Sequence, residues 1–226
     1  RQYLARAKIG LAFMISLVIF PSVVDTPFAI PEGLLPYSLV LLREVILGTV
    51  IGFVVLLLFI GIQFAGQIAG LQMGFGIVNI LDPQSGDQVS IVGQFLNILA
   101  TLLVLCFDGH HIILNGLMAS FEAVPLAGVV LKATIGQKII ELTAMTFIVA
   151  IKISAPIILA LFSVTVAMGI LARTVPQMNV FIVGFPVQLA VGLFVLVASL
   201  PLFNILLEKS LIALQSDLYA LLDFFG

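Results

Sequence analysis

The sequence has no tryptophan, few tyrosines and few charged residues. Of its 226 residues, none is Trp, three are Tyr and 9% are charged, whereas soluble domains carry roughly 25% charged residues. Hydrophobic residues make up 62% of the chain, and its mean hydropathy is +1.31. This composition excludes an ordinary soluble monomer, which could not bury so much apolar surface. Because Trp is one of the two usual residues of the membrane aromatic belt, its absence indicates that some apolar helices do not meet lipid headgroups.

Other residue types are too rare for several functions. The nine Lys and Arg residues and the net charge of −2 provide no basic surface for nucleic acid. The single cysteine, Cys106, excludes an intrachain disulfide, and we expect it to be a small buried residue in its apolar run. There is no nucleophile elbow and no phosphate-binding loop with its lysine. The sequence therefore predicts neither an enzyme nor a cofactor site.

The two histidines, His110 and His111, follow Asp108 in a short polar stretch. Adjacent side chains point apart on a helix, and a zinc site needs three or four ligands. We therefore expect a solvated break between two helices here, and no metal.

One uncharged run is too long for a single membrane span. No charged side chain occurs from Val45 to Leu81. A straight helix over this run would be about 55 Å long, against about 30 Å of bilayer hydrocarbon. The run therefore either continues outside the lipid or breaks near its glycines. A polar turn over 82–87 and a second apolar run over 88–107 follow it, which predicts a helical hairpin.

Similar runs, separated by charged or proline-containing turns, predict an all-α, membrane-associated protein of long, kinked helical hairpins. We predict helices over 9–24, 36–71, 89–107, 112–121, 132–172 and 180–200, and an amphipathic tail over 204–225. Pro156 predicts a bend in the fifth helix, and Gly184, Phe185 and Pro186 predict a kink in the sixth. The two long hairpins have polar tips at 82–87 and 173–179.

Small and polar residues interrupt the first hairpin. Gly66, Gly70 and Gly74 recur every four residues on one helix face, which lets another backbone approach closely. That backbone belongs either to this chain or to another subunit, and the sequence favours neither. Uncharged polar residues on both arms either form hydrogen bonds between helices or border a water-filled path. They are Gln63, Gln67, Gln72, Gln88, Gln94 and Asn97.

Isolated charges lie inside apolar runs, at Arg43, Glu44 and Lys152. A charge within a membrane segment is a candidate for function, but no series of acids typical of a proton pump accompanies these.

Positive charge predicts the orientation of the chain. Arg1, Arg6 and Lys8 precede the first apolar run, which favours a cytoplasmic amino end. If 112–121 does not cross the membrane, both hairpin tips face the cytoplasm as well, including Arg173 in the second tip.

Three motifs in the chain resemble those of one known protein family. The stretch Arg-Thr-Val-Pro-Gln-Met-Asn-Val-Phe-Ile-Val-Gly-Phe-Pro, over 173–186, is similar to the family signature. Gly-Leu-Gln-Met-Gly-Phe-Gly over 70–76, followed by Leu-Asp-Pro over 81–83, resembles a second motif. Phe-Asp-Gly-His over 107–110 resembles a third. The family is the FliR family, the flagellar members of the type III secretion export-gate proteins. The motifs occur in the family's order, and the resemblance covers essentially the whole chain.

The resemblance implies a subunit of the flagellar type III protein export gate, in the bacterial inner membrane at the flagellar basal body. It implies one unit with two parts: a FliP-like part over 1–128 that carries a plug loop, then a FliQ-like hairpin and tail over 129–226. The implied partners are FliP, FliQ and FlhB in a hetero-oligomer, together with unfolded export substrates and lipid. Family members usually carry one more helix before the position of Arg1, and we expect that helix to be absent from this sequence.

The resemblance also implies which residues act. The family's plug, which fills the closed pore, corresponds to about 72–87 and includes Gln72, Met73, Gly74, Phe75, Gly76, Asp82 and Pro83. The cytoplasm-facing loop, near the contact with FlhB, includes Arg173, Pro176, Gln177, Met178 and Asn179.

An alternative function is a multi-pass secondary transporter of a small solute, with broken helices around a central site. Purification would separate the two. A transporter would be a monomer or dimer that binds a solute, whereas an export-gate subunit would co-purify with FliP and FliQ.

Overall fold

The computed structural model describes residues 5–23, 32–76, 90–130, 132–175, 177 and 179–225. Within these ranges the chain forms helices and no strand, so the predicted all-α class is confirmed. The helices are α1 (Ala5–Val23), α2 (Leu34–Gln72), α3 (Ile91–Cys106), α4 (Gly109–Ala123), α5 (Ala133–Thr174) and α6 (Val180–Leu222). The predicted turn at 82–87, with Asp82 and Pro83, lies outside the described residues.

The two longest helices continue through prolines. Pro156 lies within α5, and Pro186 and Pro201 lie within α6. A proline removes one backbone donor, but in apolar surroundings the other backbone groups find partners only inside the helix, which keeps it intact. The prediction of a separate tail over 204–225 was wrong, because α6 runs without interruption from 180 to 222. Gly184, Phe185 and Pro186 lie in the first turns of this helix.

The helices form two hairpins that lie against each other. The first consists of α2 and α3 and the second of α5 and α6, and α2 also packs along α5. Apolar side chains fill the space between them, and an edge-to-face pair of rings, Phe64 and Phe147, joins α2 to α5 with centroids 5.4 Å apart. Lys138 connects α5 to α6 through an ion pair with Asp217 at 3.2 Å. The first and second parts of the chain therefore share one core.

The chain bends by 70° between α3 and α4. Asp108 lies at the bend with a φ of 54°, in the left-handed region. The predicted break at Asp108 is confirmed, but α4 begins at Gly109 and includes both histidines. Cys106, at the end of α3, is exposed and not buried as predicted, because the bend leaves this face of the helix uncovered.

Much of the apolar surface is not covered by this chain. In the described part of α1 only Ile19 is buried, and Leu34 at the start of α2 is 88% exposed. The helices α2, α5 and α6 are long and apolar enough to cross a membrane, and α3 and α4 would form a fourth span if the bent pair counts as one. The structure thus leaves long apolar faces for lipid or for other subunits.

Candidate functional site

The first candidate site is the end of α2, where the predicted plug begins. Gly74 has a φ of 88°. Its N–H donates to the carbonyl of Leu71 at 3.1 Å, and the N–H of Phe75 donates to the carbonyl of Gly70 at 3.0 Å. This pair of bonds is a Schellman motif, which ends a helix with a glycine in the left-handed conformation. Gly74 therefore terminates α2, a role that sequence reasoning missed although a glycine after a long helical run is its usual signal.

The end of α2 is fixed against α6. Met73 is fully buried, and a Cβ added to Gly192 of α6 would lie only 2.7 Å from Cγ of Met73. A Cβ on Gly74 would lie 2.8 Å from the ring of Phe185. The structure therefore brings together two sets of predicted residues, the start of the plug and the 184–186 stretch of α6.

The earlier glycines of the same face pack against α3 of this chain. A Cβ on Gly66 would overlap the Cα of Gly93, and one on Gly70 would overlap Oγ of Ser90. Ser90 is the N-cap of α3: its Oγ accepts the N–H of Gly93 at 3.3 Å and donates to the carbonyl of Gly66 at 3.1 Å. Gly66 and Gly70 therefore pack against a helix of the same chain, which is one of the two alternatives left open by the sequence.

A polar contact joins the helices of the second hairpin, at residues outside the polar set predicted on the first hairpin. Gln188 of α6 donates to Oγ1 of Thr165 in α5 at 3.5 Å, which is a hydrogen bond between helices. By contrast, Oδ1 of Asn97 in α3 is buried and accepts no hydrogen bond from the described residues.

The second tip lies between α5 and α6. Arg173 is in the last turn of α5 and is exposed, where a positive charge stabilises the carboxyl end of a helix. Asn179 caps the start of α6, since its Oδ1 accepts the N–H of Ile182 at 3.4 Å. Gln177 is exposed, and Pro176 and Met178 lie outside the described residues.

The polar bend after α3 differs from the prediction. The rings of His110 and His111 do not point apart: their centroids are 4.2 Å apart. The carboxylate of Asp108 lies near the first turn of α4, with its Oδ1 3.5 Å from Nδ1 of His111. One possible ligand atom from each of the three residues lies within 4.8 Å of the others. Asp108 and His111 are both mostly exposed, so water screens the contact between them and it contributes little to stability.

Comparison with known proteins identifies the family. Residues 1–213 match the family described as bacterial export proteins, family 1. The chain belongs to this family. The predicted resemblance to FliR is thereby confirmed for this export protein.

Named relatives support the same conclusion. The export protein is 36% identical over 210 residues to the flagellar biosynthetic protein FliR of Bacillus subtilis (strain 168). The aligned region covers 89% of this chain and 78% of the relative. It is 35% identical over 199 residues to FliR of Pectobacterium carotovorum subsp. carotovorum, covering 87% and 75%. It is 30% identical over 197 residues to FliR of Escherichia coli (strain K12), again covering 87% and 75%. The FliR relatives and the membrane-capable helices assign this export protein to flagellum biogenesis.

Proposed function

We propose that this chain is a non-enzymatic subunit of the flagellar type III export gate in the bacterial inner membrane. It completes the wall of the pore with FliP and FliQ, contacts FlhB, and blocks the pore until unfolded export substrates pass. In this proposal the residues 1–128 act as the FliP-like part, and 129–226 act as the FliQ-like hairpin and tail.

The observation that carries the proposal is the long apolar surface that this chain leaves uncovered. The helix α2 has 39 residues, about 58 Å in length, which is nearly twice the thickness of the bilayer hydrocarbon. The most apolar window of α6 is only 17% buried by this chain. Lipid can cover about 30 Å of each such helix, so we expect other subunits to cover the apolar length that neither lipid nor this chain covers.

The geometry at the end of α2 supports a division of the proposed plug. Met73 and Gly74 are fixed against α6 by packing and by the Schellman motif. We therefore assign these two residues to the anchor of the plug.

Shortening the loop beyond the anchor tests this assignment. Deletion of residues 77–80 leaves Met73 to Gly76 in place and should produce a pore that leaks ions, measured as ion flux in cells that express the complete gate. The control is Gly136→Ala, at a helical glycine with nothing within 4 Å of an added Cβ. An assembled gate that carries the deletion and stays impermeable would contradict the plug.

A further inference from the structure

We infer that Glu44 is a positioning residue whose carboxylate holds the segment between the two hairpins in place. This segment, residues 124–130, is called the junction loop below. This contact joins the two halves of the chain, whether or not the chain plugs a pore.

The contact joins the side of α2 to the backbone of the junction loop. Oε1 of Glu44 accepts the N–H of Ala127 at 3.0 Å. Ala127 has a φ of 66°, a left-handed conformation that is unfavourable for a residue with a Cβ. The next residue, Gly128, donates its N–H to the carbonyl of Pro125 at 2.8 Å. The loop is therefore a tight turn with an unfavourable residue at its centre, and Glu44 binds that residue.

The carboxyl-terminal end of the chain holds the other side of the junction loop. The N–H of Val130 donates to the carbonyl of Phe225 at 3.0 Å. Val129 and Phe225 are both fully buried, and Val124 is 4% exposed. The loop thus lies between α2 of the first hairpin and the end of the second hairpin. The loop leads into α5, which starts at Ala133.

The chemistry of the contact explains an acid in an apolar helix. Arg43 and Glu44 are isolated charges in a segment otherwise suited to a membrane, and such charges are costly unless they have a partner. A half-buried backbone N–H without a partner is unfavourable, and Glu44 supplies the partner of Ala127. The essential property of Glu44 is therefore an acceptor oxygen at this distance, and a Gln of the same length also supplies one.

Thiol labelling of the junction loop tests the inference on the full chain purified in detergent. Val129→Cys places a thiol at a fully buried position, in a Cys106→Ala background because Cys106 is exposed. Glu44→Ala removes the acceptor, Glu44→Asp keeps the charge but shortens its reach, and Glu44→Gln keeps the acceptor. Glu122→Ala is the control, since Glu122 is an exposed carboxylate next to the same loop.

Loss of this hydrogen bond leaves the N–H of Ala127 without its acceptor, which should increase the frequency of loop opening by about tenfold. We expect labelling at least about tenfold faster for Glu44→Ala and Glu44→Asp, and little change for Glu44→Gln and Glu122→Ala. Adding Ala127→Gly to Glu44→Ala should slow the labelling again, because glycine adopts the positive φ without a penalty.

Two results would overturn the inference. Equal labelling of Glu44→Ala and the parent would show that the carboxylate does not hold the loop. Equal acceleration of Glu44→Gln and Glu44→Ala would show that the charge, and not the acceptor, matters. Size-exclusion chromatography and helix content by circular dichroism show whether each variant is folded. If Glu44→Ala does not fold, the comparison of Glu44→Asp with Glu44→Gln decides the question.

Discussion

The crossing of α2 and α3 gives the sharpest test of the packing. In Gly66→Ala the new Cβ would overlap Cα of Gly93 and lie 2.7 Å from its nitrogen. These are backbone atoms, which cannot rotate away as a side chain does. Gly48→Ala is the matched control, because Gly48 lies in the same helix and nothing lies within 4 Å of an added Cβ.

The two substitutions are expected to change the free energy of unfolding in opposite directions. Both substitutions gain up to about 1 kcal/mol of helix propensity. In Gly66→Ala, overpacking costs about 1–3 kcal/mol, and displacement of α3 weakens the hydrogen bond from Ser90 to Gly66, by about 1 kcal/mol. We expect Gly66→Ala to be destabilised by about 2 kcal/mol and Gly48→Ala to be stabilised by up to about 1 kcal/mol.

Thermal unfolding of the purified chain in detergent, followed by circular dichroism, measures this difference. About 3 kcal/mol separates the two variants, which corresponds to Tm values about 6–12 °C apart for a chain of this size. Co-purification with FliP and FliQ is measured in parallel. The reasoning is refuted if Gly66→Ala is as stable as Gly48→Ala. Normal stability with lost co-purification would mean that Gly66 contacts another subunit and not α3.

Two further predictions concern the ends of the hairpins. Gly74→Ala should lower the free energy of unfolding by about 1–2 kcal/mol, because an alanine at a φ of 88° is strained and its Cβ would meet the ring of Phe185. The control is Gly169→Ala, where an added Cβ meets nothing within 4 Å. Equal stability of the two variants would contradict the Schellman cap. In a Cys106→Ala background, Gln177→Cys should crosslink to a cysteine engineered in the loop region of FlhB, because Gln177 is exposed at the second tip. Ready labelling of that cysteine by an impermeant reagent from the periplasmic side would instead reverse the proposed orientation.

Local signals in the sequence predicted most of the helices. Five of the helices were predicted to within a few residues, since each is an apolar run that charged residues or prolines end. The break at Asp108 was also predictable from the polar stretch that follows the apolar run. The predicted tail is not separate from the helix before it. Pro201 lies within an apolar helix, and the loss of a single backbone donor does not end that helix.

The candidate sites were predicted less completely, because their contacts join residues far apart in the chain. The periodic glycines indicated a close approach, but not that Gly93 and Ser90 would be the neighbours. The motif around Gly74 was recognised, but its role as a helix cap depends on a positive φ that only the fold displays. The two histidines were expected to point apart, but in the fold their ring centroids lie 4.2 Å apart.

By itself, the sequence determined that this chain is all-α, membrane-associated and a member of an export-protein family, because composition, apolar run length and short motifs are local properties. Only the tertiary structure decided which face of each helix meets which neighbour. Glu44 shows the difference: along the chain it is an isolated charge in an apolar run. In the fold it accepts the N–H of Ala127, 83 residues away, because a carboxylate in apolar surroundings is stable only where the fold supplies a donor.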